Sequence, residues 1–162
     1  IDRDNIAGYG GSYGGFMTMS LITQTDLFKA SCSLYGISNL ASYWGAGIWG
    51  YTYGDTAMAL SYPWNRPDFF VKQSPLFNAD KVQSALLLMH GTDDLNVPSV
   101  ESEQMFTALK VLGKDVAYVR FPGQGHGIAC SRDIYILHRR MMLEWFDKHL
   151  KNEPEAWDER WK

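Results

Sequence analysis

The amino-acid sequence predicts an α/β fold, in which a parallel β-sheet is covered by helices on both faces. Three observations support this prediction. Apolar runs at residues 28–35 and 85–90 are nearly continuous, as is typical of strands buried on both faces of a parallel sheet. Stretches with the helical spacing of apolar residues separate the strands, which predicts linked βαβ units. A glycine-flanked serine, Ser12, stands between the first strand and the first helix.

The elements can be placed along the chain from these patterns. The expected strands lie at residues 6–9, 28–35, 85–90 and 116–121. The expected long helices lie at residues 13–24, 100–112 and 132–150. Residues 36–70 are dense in aromatic rings but interrupted by glycine and proline, so we expect irregular structure with short helices near 40–44 and 67–73. Their rings either form a satellite core or line a substrate pocket, and both interpretations stay open.

The composition of the 162 residues excludes some classes of protein. A hydrophobic content of 46% and a charged content of 20% are typical of a globular domain, and the length suits a single one. The formal net charge of −3 offers no basic surface for nucleic acid, and no apolar run approaches the roughly 18 residues of a membrane span. We therefore expect neither nucleic acid nor a membrane as a partner. The cellular compartment stays open.

The two cysteines, Cys32 and Cys130, do not have the spacing of metal ligands. Cys32 lies in an apolar run and is most simply a small buried residue. Cys130 follows His126 closely in the chain, but Ser12 has the better context for a nucleophile. We expect no metal site and no cofactor.

The stretch Gly-Gly-Ser-Tyr-Gly-Gly around Ser12 follows a strand and opens a helix. In this context Gly-x-Ser-x-Gly is typical of a nucleophile elbow, a sharp turn that exposes the serine hydroxyl above the sheet. We expect Gly10 and Gly14 to provide space for the turn, and Gly15 to let the helix pack close to the sheet. The amide of Tyr13 would face the oxyanion that forms during attack. The alternative is a glycine-rich turn that merely contains a serine.

A serine is a weak nucleophile unless a base and an orienting carboxylate lie beside it. In this kind of fold the partners follow in the order Ser, Asp, His, in loops after the carboxyl ends of strands. His126 lies between glycines after the fourth strand, and Asp93 and Asp94 lie after the third. The chemistry alone does not choose between the two aspartates.

The three other histidines have simpler interpretations. His90 ends a buried strand and is expected to be structural. His138 and His149 lie on the last helix, and we expect both at its surface.

Three motifs occur in order along the chain. They are Gly-Gly-Ser-Tyr-Gly-Gly at residues 10–15, His-Gly-x-x-Asp-x-x-Val-Pro at 90–98 and Pro-Gly-x-x-His-Gly at 122–127. Together they resemble the C-terminal half of the catalytic domain of the prolyl oligopeptidase family, which includes prolyl oligopeptidases, dipeptidyl peptidases and acylaminoacyl peptidases. The resemblance implies an α/β-hydrolase fold, a three-layer sandwich of which about four parallel strands are present. It also implies that residues 1–162 are the C-terminal part of that domain, without its N-terminal half and β-propeller.

The resemblance further implies a serine peptidase that forms an acyl-enzyme on short peptides. Ser12 would be the nucleophile, His126 the base and Asp94 the orienting carboxylate, with Asp93 only a neighbour. The amide of Tyr13 would donate to the oxyanion, and the family's second donor, a tyrosine hydroxyl from an upstream loop, is absent from this chain. The substrate pocket would be lined by Ile37, Leu40, Tyr43, Asn96 and Val97.

Two rival functions stay open: an esterase or lipase with the same fold, and a binding domain without activity.

The strand at residues 6–9 would lack a neighbour on one side, which favours pairing with another chain. We therefore expect either a homo-oligomer through this exposed sheet edge, or a monomer in which residues 2–5 and the aromatic segment cover it.

Overall fold

The computed structural model describes residues 2–56 and 58–162. The strands in this part of the chain are β1 (Ala7–Gly11), β2 (Ala30–Leu34), β3 (Ala85–Gly91) and β4 (Val116–Phe121). They form one sheet whose order, β1-β2-β3-β4, follows the chain, and each neighbouring pair is parallel. The prediction of about four parallel strands is therefore confirmed, and all four carboxyl ends meet at one edge of the sheet.

Helices connect the strands and cover the sheet. The α-helices are α1 (Tyr13–Ile22), α2 (Leu40–Ala46), α3 (Gly50–Asp55), α4 (Pro67–Gln73), α5 (Val100–Val111), α6 (Arg132–Phe146) and α7 (Glu155–Arg160). A 3-10 segment at Pro75–Lys81 precedes β3, and one π-helical turn at Asp147–Lys151 continues α6. The short helices expected near residues 40–44 and 67–73 are confirmed as α2 and α4, whereas the sequence pattern did not predict α3.

The core consists of two apolar layers, one on each face of the sheet. Along β3, Leu86 and Leu88 face one layer. The alternate residues, Leu87 and Met89, face the other. Helices α1 and α5 cover the first layer with Met19, Ile22, Met105 and Leu109. Helix α6 covers the second layer with Met141, Met142 and Trp145. This three-layer arrangement confirms the predicted fold class.

Helix α6 buries a wider stripe than its apolar residues predict. His138 is 1% exposed and lies on the same face as Met141 and Trp145, three and seven positions further on. The side chain of His149 is 14% exposed, and its ring centroid lies 4.2 Å from that of Trp145. The prediction that both histidines lie at the surface is therefore wrong, because the helical period places His138 on the inner face of α6, and the ring of Trp145 packs against His149 in the π-helical turn.

A third, smaller cluster follows the carboxyl ends of β2 and β3. Its buried members are Ile37, Leu40, Tyr43, Phe70 and Val97. Nearby, the ring of Trp64 stacks on Tyr62 and meets Trp44 edge-on, with centroids 5.0 Å apart in both pairs. Tyr43, Trp44, Phe69 and Phe70 thus belong to a satellite core, as one of the two interpretations predicts, whereas Trp64 is 67% exposed.

Strand β1 lies at an edge of the sheet. Among the described residues it pairs only with β2, and Tyr9 on this strand is 59% exposed. A groove of about 460 Å³ runs along the outer side of β1, between the strand and Met17 and Leu21 of α1. The carboxylate of Asp2 accepts hydrogen bonds from the amide of Asp4 and the side chain of Asn5, so these polar residues bond mainly with one another. Pairing of β1 with a second copy stays a prediction.

Candidate active site

Ser12 lies in the sharp turn between β1 and α1. Its φ of 59° and ψ of −120° put a non-glycine residue in a region that costs conformational energy. Two backbone hydrogen bonds hold this conformation. The Ser12 amide donates to the Leu34 carbonyl at 2.9 Å, and the Phe16 amide donates to the Ser12 carbonyl at 3.1 Å. The turn therefore presents the serine hydroxyl at the carboxyl edge of the sheet.

The glycines around Ser12 do not all have the same role. A Cβ at Gly10 would overlap the carbonyl of Gly14, and a Cβ at Gly15 would lie 2.7 Å from the Cα of Gly36. Gly10 and Gly15 are therefore required by close approach of the backbone. A Cβ at Gly14 would meet no described atom within 4 Å. The prediction that Gly14 provides space is wrong, because this position faces the open groove along β1.

A chain of hydrogen bonds links Ser12, His126 and Asp94. The Nε2 of His126 lies 2.9 Å from Ser12 Oγ, and its Nδ1 lies 2.8 Å from Asp94 Oδ2. Since the carboxylate can only accept, Nδ1 carries the proton and Nε2 is left to accept from the serine hydroxyl. Asp93 is exposed and its carboxylate accepts instead from the hydroxyl of Thr92 at 2.8 Å. The geometry thus selects Asp94 from the two adjacent aspartates.

Asp94 is held as a buried carboxylate. It is 5% exposed, and its Oδ1 accepts from the amides of Asn96 and Val97 at 2.9 and 3.0 Å. Burial alone would raise the pKa of Asp94. Hydrogen bonds from His126, His90 and the Val97 amide outweigh burial and hold the pKa well below its usual value. The group is therefore charged at neutral pH.

Tyr35 packs against His126 and is a site residue that sequence reasoning missed. The two ring centroids are 4.7 Å apart and the rings meet edge-on at 62°. Tyr35 has a φ of 40°, and its amide donates to the Met89 carbonyl at 2.7 Å. A Cβ at Gly11 would lie 2.7 Å from the Tyr35 hydroxyl, so this ring also reaches the elbow. The only signal in the sequence is its position at the end of a buried apolar run.

A cavity of about 440 Å³ opens beside the serine. It is lined by Ser12, His126, Tyr43, Trp49, Thr52, Thr56, Asn96 and Val97. Of the predicted pocket residues, Tyr43, Asn96 and Val97 line this cavity. Ile37 and Leu40 are buried in the cluster behind Tyr43, 1% and 4% exposed, and do not reach the cavity. Trp49 lines the cavity as the pocket interpretation of the aromatic segment predicts, whereas sequence reasoning missed Thr52 and Thr56.

The remaining candidate residues lie outside this chain of hydrogen bonds. Tyr13 directly follows Ser12 as the first residue of α1, and its ring lies 5.5 Å from that of Phe16. Cys32 is buried in β2, where burial raises the pKa of its thiol, and Cys130 is exposed. Within residues 2–56 and 58–162, no group of three or more His, Cys, Asp or Glu side chains could hold a metal ion. No helix in the same ranges is long and apolar enough to cross a membrane.

The chain is similar to known proteins in both sequence and structure. Residues 1–153 match the model of the prolyl oligopeptidase family. The uncharacterized peptidase YuxL of Bacillus subtilis is 36% identical over 152 residues, which cover 93% of this chain and 23% of that protein. Dipeptidyl aminopeptidase BIII of Pseudoxanthomonas mexicana is 34% identical over 134 residues, 78% of this chain and 19% of that protein.

Two solved structures extend the comparison. An acylaminoacyl peptidase of Pyrococcus horikoshii superposes with a TM-score of 0.82 at 34% identity, covering 93% of this chain and 25% of that chain. A puromycin-hydrolyzing peptidase of Mycobacterium tuberculosis superposes with a TM-score of 0.85 at 32% identity, covering 93% and 22%. The chain therefore spans about a quarter or less of the length of the relatives it matches.

Proposed function

Because the chain belongs to the prolyl oligopeptidase family, we propose that it supplies the nucleophile, base and orienting carboxylate of a serine peptidase. The observation that carries this proposal is the unbroken chain of hydrogen bonds from Ser12 through His126 to Asp94, at 2.9 and 2.8 Å. Relatives that are named as peptidases support the class of reaction.

The first half of the reaction forms an acyl-enzyme. Ser12 Oγ attacks the carbonyl carbon of the scissile peptide bond while His126 Nε2 takes its proton. Asp94 accepts the Nδ1 proton of His126 in a hydrogen bond, which fixes the tautomer and stabilises the imidazolium that forms. Since the pKa of Asp94 is held low, this carboxylate keeps its charge throughout.

The tetrahedral intermediate needs hydrogen-bond donors for its oxyanion. Its collapse needs a proton for the leaving amine. The amide of Tyr13, at the start of α1, donates to the oxyanion, and His126 returns the proton to the amine. Water then attacks the acyl-enzyme with the same base, and the acid product leaves. The family resemblance implies a tyrosine hydroxyl as the second oxyanion donor.

We propose short peptides as the substrate class. The cavity beside Ser12 has room for one large side chain, and Tyr43, Trp49 and Val97 give it an apolar wall. Thr52, Thr56 and Asn96 offer polar groups at its other side. Ile37 and Leu40 act behind Tyr43, where they hold the wall in place without touching substrate.

We propose that the outer edge of β1 pairs with a further strand. Its unpaired backbone groups favour a further strand, which either a second copy or another part of the whole protein would supply. Sedimentation of the 162-residue chain at low micromolar concentration tests the homo-oligomer. A dimer would support pairing between copies, and a compact monomer would contradict it.

Steady-state kinetics of the whole protein test the proposed reaction. Peptidyl p-nitroanilides and p-nitrophenyl esters that share an acyl group should both be turned over, and both activities should be lost in Ser12→Ala. Turnover of the esters alone would indicate an esterase instead. Turnover of neither, together with no labelling by a fluorophosphonate, would indicate a binding domain.

A further inference from the structure

His90 is a fully buried histidine that lies beside Asp94 at the end of β3. Its Nε2 is 2.8 Å from the Val97 carbonyl oxygen and 3.3 Å from Asp94 Oδ2. A carbonyl oxygen can only accept, so Nε2 carries a proton and donates it to Val97, with the Asp94 carboxylate as a second acceptor. His90 therefore contacts both ends of the short loop 94–97.

The other ring nitrogen of His90 is also bonded. Its Nδ1 lies 2.7 Å from the hydroxyl of Ser102, which is fully buried in the first turn of α5. In the neutral ring, with the proton on Nε2, Nδ1 accepts from this hydroxyl. Both nitrogens are thus engaged, which gives the ring one orientation and one tautomer.

The loop 94–97 is held from two sides. From within, the amides of Asn96 and Val97 donate to Asp94 Oδ1. From the sheet side, His90 binds the Val97 carbonyl and approaches Oδ2, the oxygen that also accepts from His126. Without His90, the Val97 carbonyl and the Ser102 hydroxyl would be buried without these partners, and the carboxylate would lose a restraint on its orientation.

We propose that His90 is a positioning residue, which holds the Asp94 carboxylate towards His126 while Ser102 sets the tautomer of His90. This inference rests on the proposed function, because it concerns how Asp94 is presented to the base. From the sequence, His90 was expected to be structural because it ends a core strand. The inference gives this histidine of the His-Gly-x-x-Asp stretch a role in positioning the carboxylate.

The test compares variants of the whole protein in steady-state hydrolysis of a peptidyl p-nitroanilide. In His90→Leu, which keeps bulk but has no donor, kcat should fall by about 10- to 100-fold, since small misplacements of catalytic groups have effects of this size. KM should change less than kcat, since His90 itself does not line the cavity, although the loop that it holds contributes Asn96 and Val97 to the lining. His90→Gln, whose amide nitrogen can take the place of Nε2, should recover most of kcat.

His138→Leu is the matched control. His138 is equally buried, but it lies on α6 and bonds to the Ile134 carbonyl. This variant should lose stability and keep kcat, which separates loss of a buried histidine from loss of the contact with Asp94. If His90→Leu does not fold, Ser102→Ala takes its place and should lower kcat by about 3- to 10-fold, with a smaller change in KM.

Different results would overturn the inference about His90 and the proposed function. An unchanged kcat in folded His90→Leu or Ser102→Ala would overturn the inference, and so would His90→Gln being no more active than His90→Leu. A wild-type protein that neither hydrolyses the anilide nor reacts with a fluorophosphonate would overturn the proposed function, and this inference with it.

Discussion

The loops that carry Ser12, Asp94 and His126 differ from the segment that lines the cavity beside them. Each loop directly follows a strand and has features within its own backbone, such as the positive φ of Ser12 and the amides of Asn96 and Val97 that bind Asp94, beside contacts from β2 and His90. Tyr43 of α2 and Thr52 of α3 line the cavity, and the start of α2 depends on contacts from a distant part of the chain. The motifs that carry the chemistry are therefore visible in the local sequence, whereas the shape of the pocket depends on tertiary packing.

Glu101 in α5 is the clearest of these distant contacts. Its carboxylate accepts from the amides of Ser38 and Asn39 at 3.0 and 2.8 Å, and from the hydroxyl of Ser42 at 2.6 Å. The side chain is fully buried, and burial raises the pKa of Glu101 although these hydrogen bonds oppose the shift. Glu101 thus fixes the start of α2, the helix that presents Tyr43 to the cavity.

The largest expected effect is that of removing the serine hydroxyl. In Ser12→Ala, kcat for a peptidyl p-nitroanilide should fall by on the order of 10⁴ or more, because no nucleophile remains. Thermal unfolding should change little. Ser99→Ala, a serine at the start of α5 outside the cavity, should leave kcat unchanged. Retention of most activity in Ser12→Ala would rule out the mechanism.

The two neighbouring aspartates form a matched pair. Asp94→Asn should lower kcat by about 10⁴, because an amide cannot hold His126 in the tautomer that leaves Nε2 free to accept. Asp93→Asn should keep kcat within about 2-fold, since Asp93 is exposed and contacts Thr92. Equal losses in both variants, measured as kcat/KM, would contradict the assignment of Asp94.

The glycines of the elbow test how far the turn depends on close backbone approach. Gly10→Ala should destabilise the protein by about 2–3 kcal/mol, since the new Cβ overlaps the Gly14 carbonyl. Gly14→Ala should be neutral or stabilise by up to about 1 kcal/mol, as expected for glycine replaced within a helix. Urea denaturation of both variants measures the difference. If Gly14→Ala lowers the free energy of unfolding more than Gly10→Ala does, close backbone approach at Gly10 does not determine the turn.

The smallest expected effect concerns the cavity wall. Glu101→Ala should raise KM by about 10-fold and change kcat by less than about 3-fold, because it releases the start of α2 without touching the Ser12–His126–Asp94 chain. Glu103→Ala, a more exposed glutamate two residues further along α5, is the control and should leave both constants unchanged. If Glu101→Ala lowers kcat and leaves KM unchanged, the cavity wall and the loops that carry Ser12, Asp94 and His126 are not held by separate contacts.

The sequence allowed the strands and the hydrogen-bonded side chains to be anticipated because their signals are local. Apolar runs predict β2 and β3 directly, and glycine-flanked Ser12 and His126 mark the turns after strands. The choice between Asp93 and Asp94 could not be made from chemistry, because it depends on which carboxylate the loop 94–97 turns inward.

The features that were missed depend on tertiary contacts. Trp157 lies in a charged tail without a motif, yet it is 6% exposed and its ring lies 4.9 Å from Trp145. His138 carries no signal for burial beyond its helical period. Tyr35 reaches the site only because the chain around it lies at the carboxyl edge of the sheet. No local pattern distinguishes these residues from other aromatic residues in the chain.

The most direct test of the central claim is to map the residue that a fluorophosphonate modifies in the whole protein. Mass spectrometry of the digested adduct should place the label on Ser12. Labelling should be abolished in Ser12→Ala and strongly slowed in Asp94→Asn, since the serine is activated through His126. A label on another residue such as Cys130, or undiminished labelling of Ser12→Ala, would contradict the account.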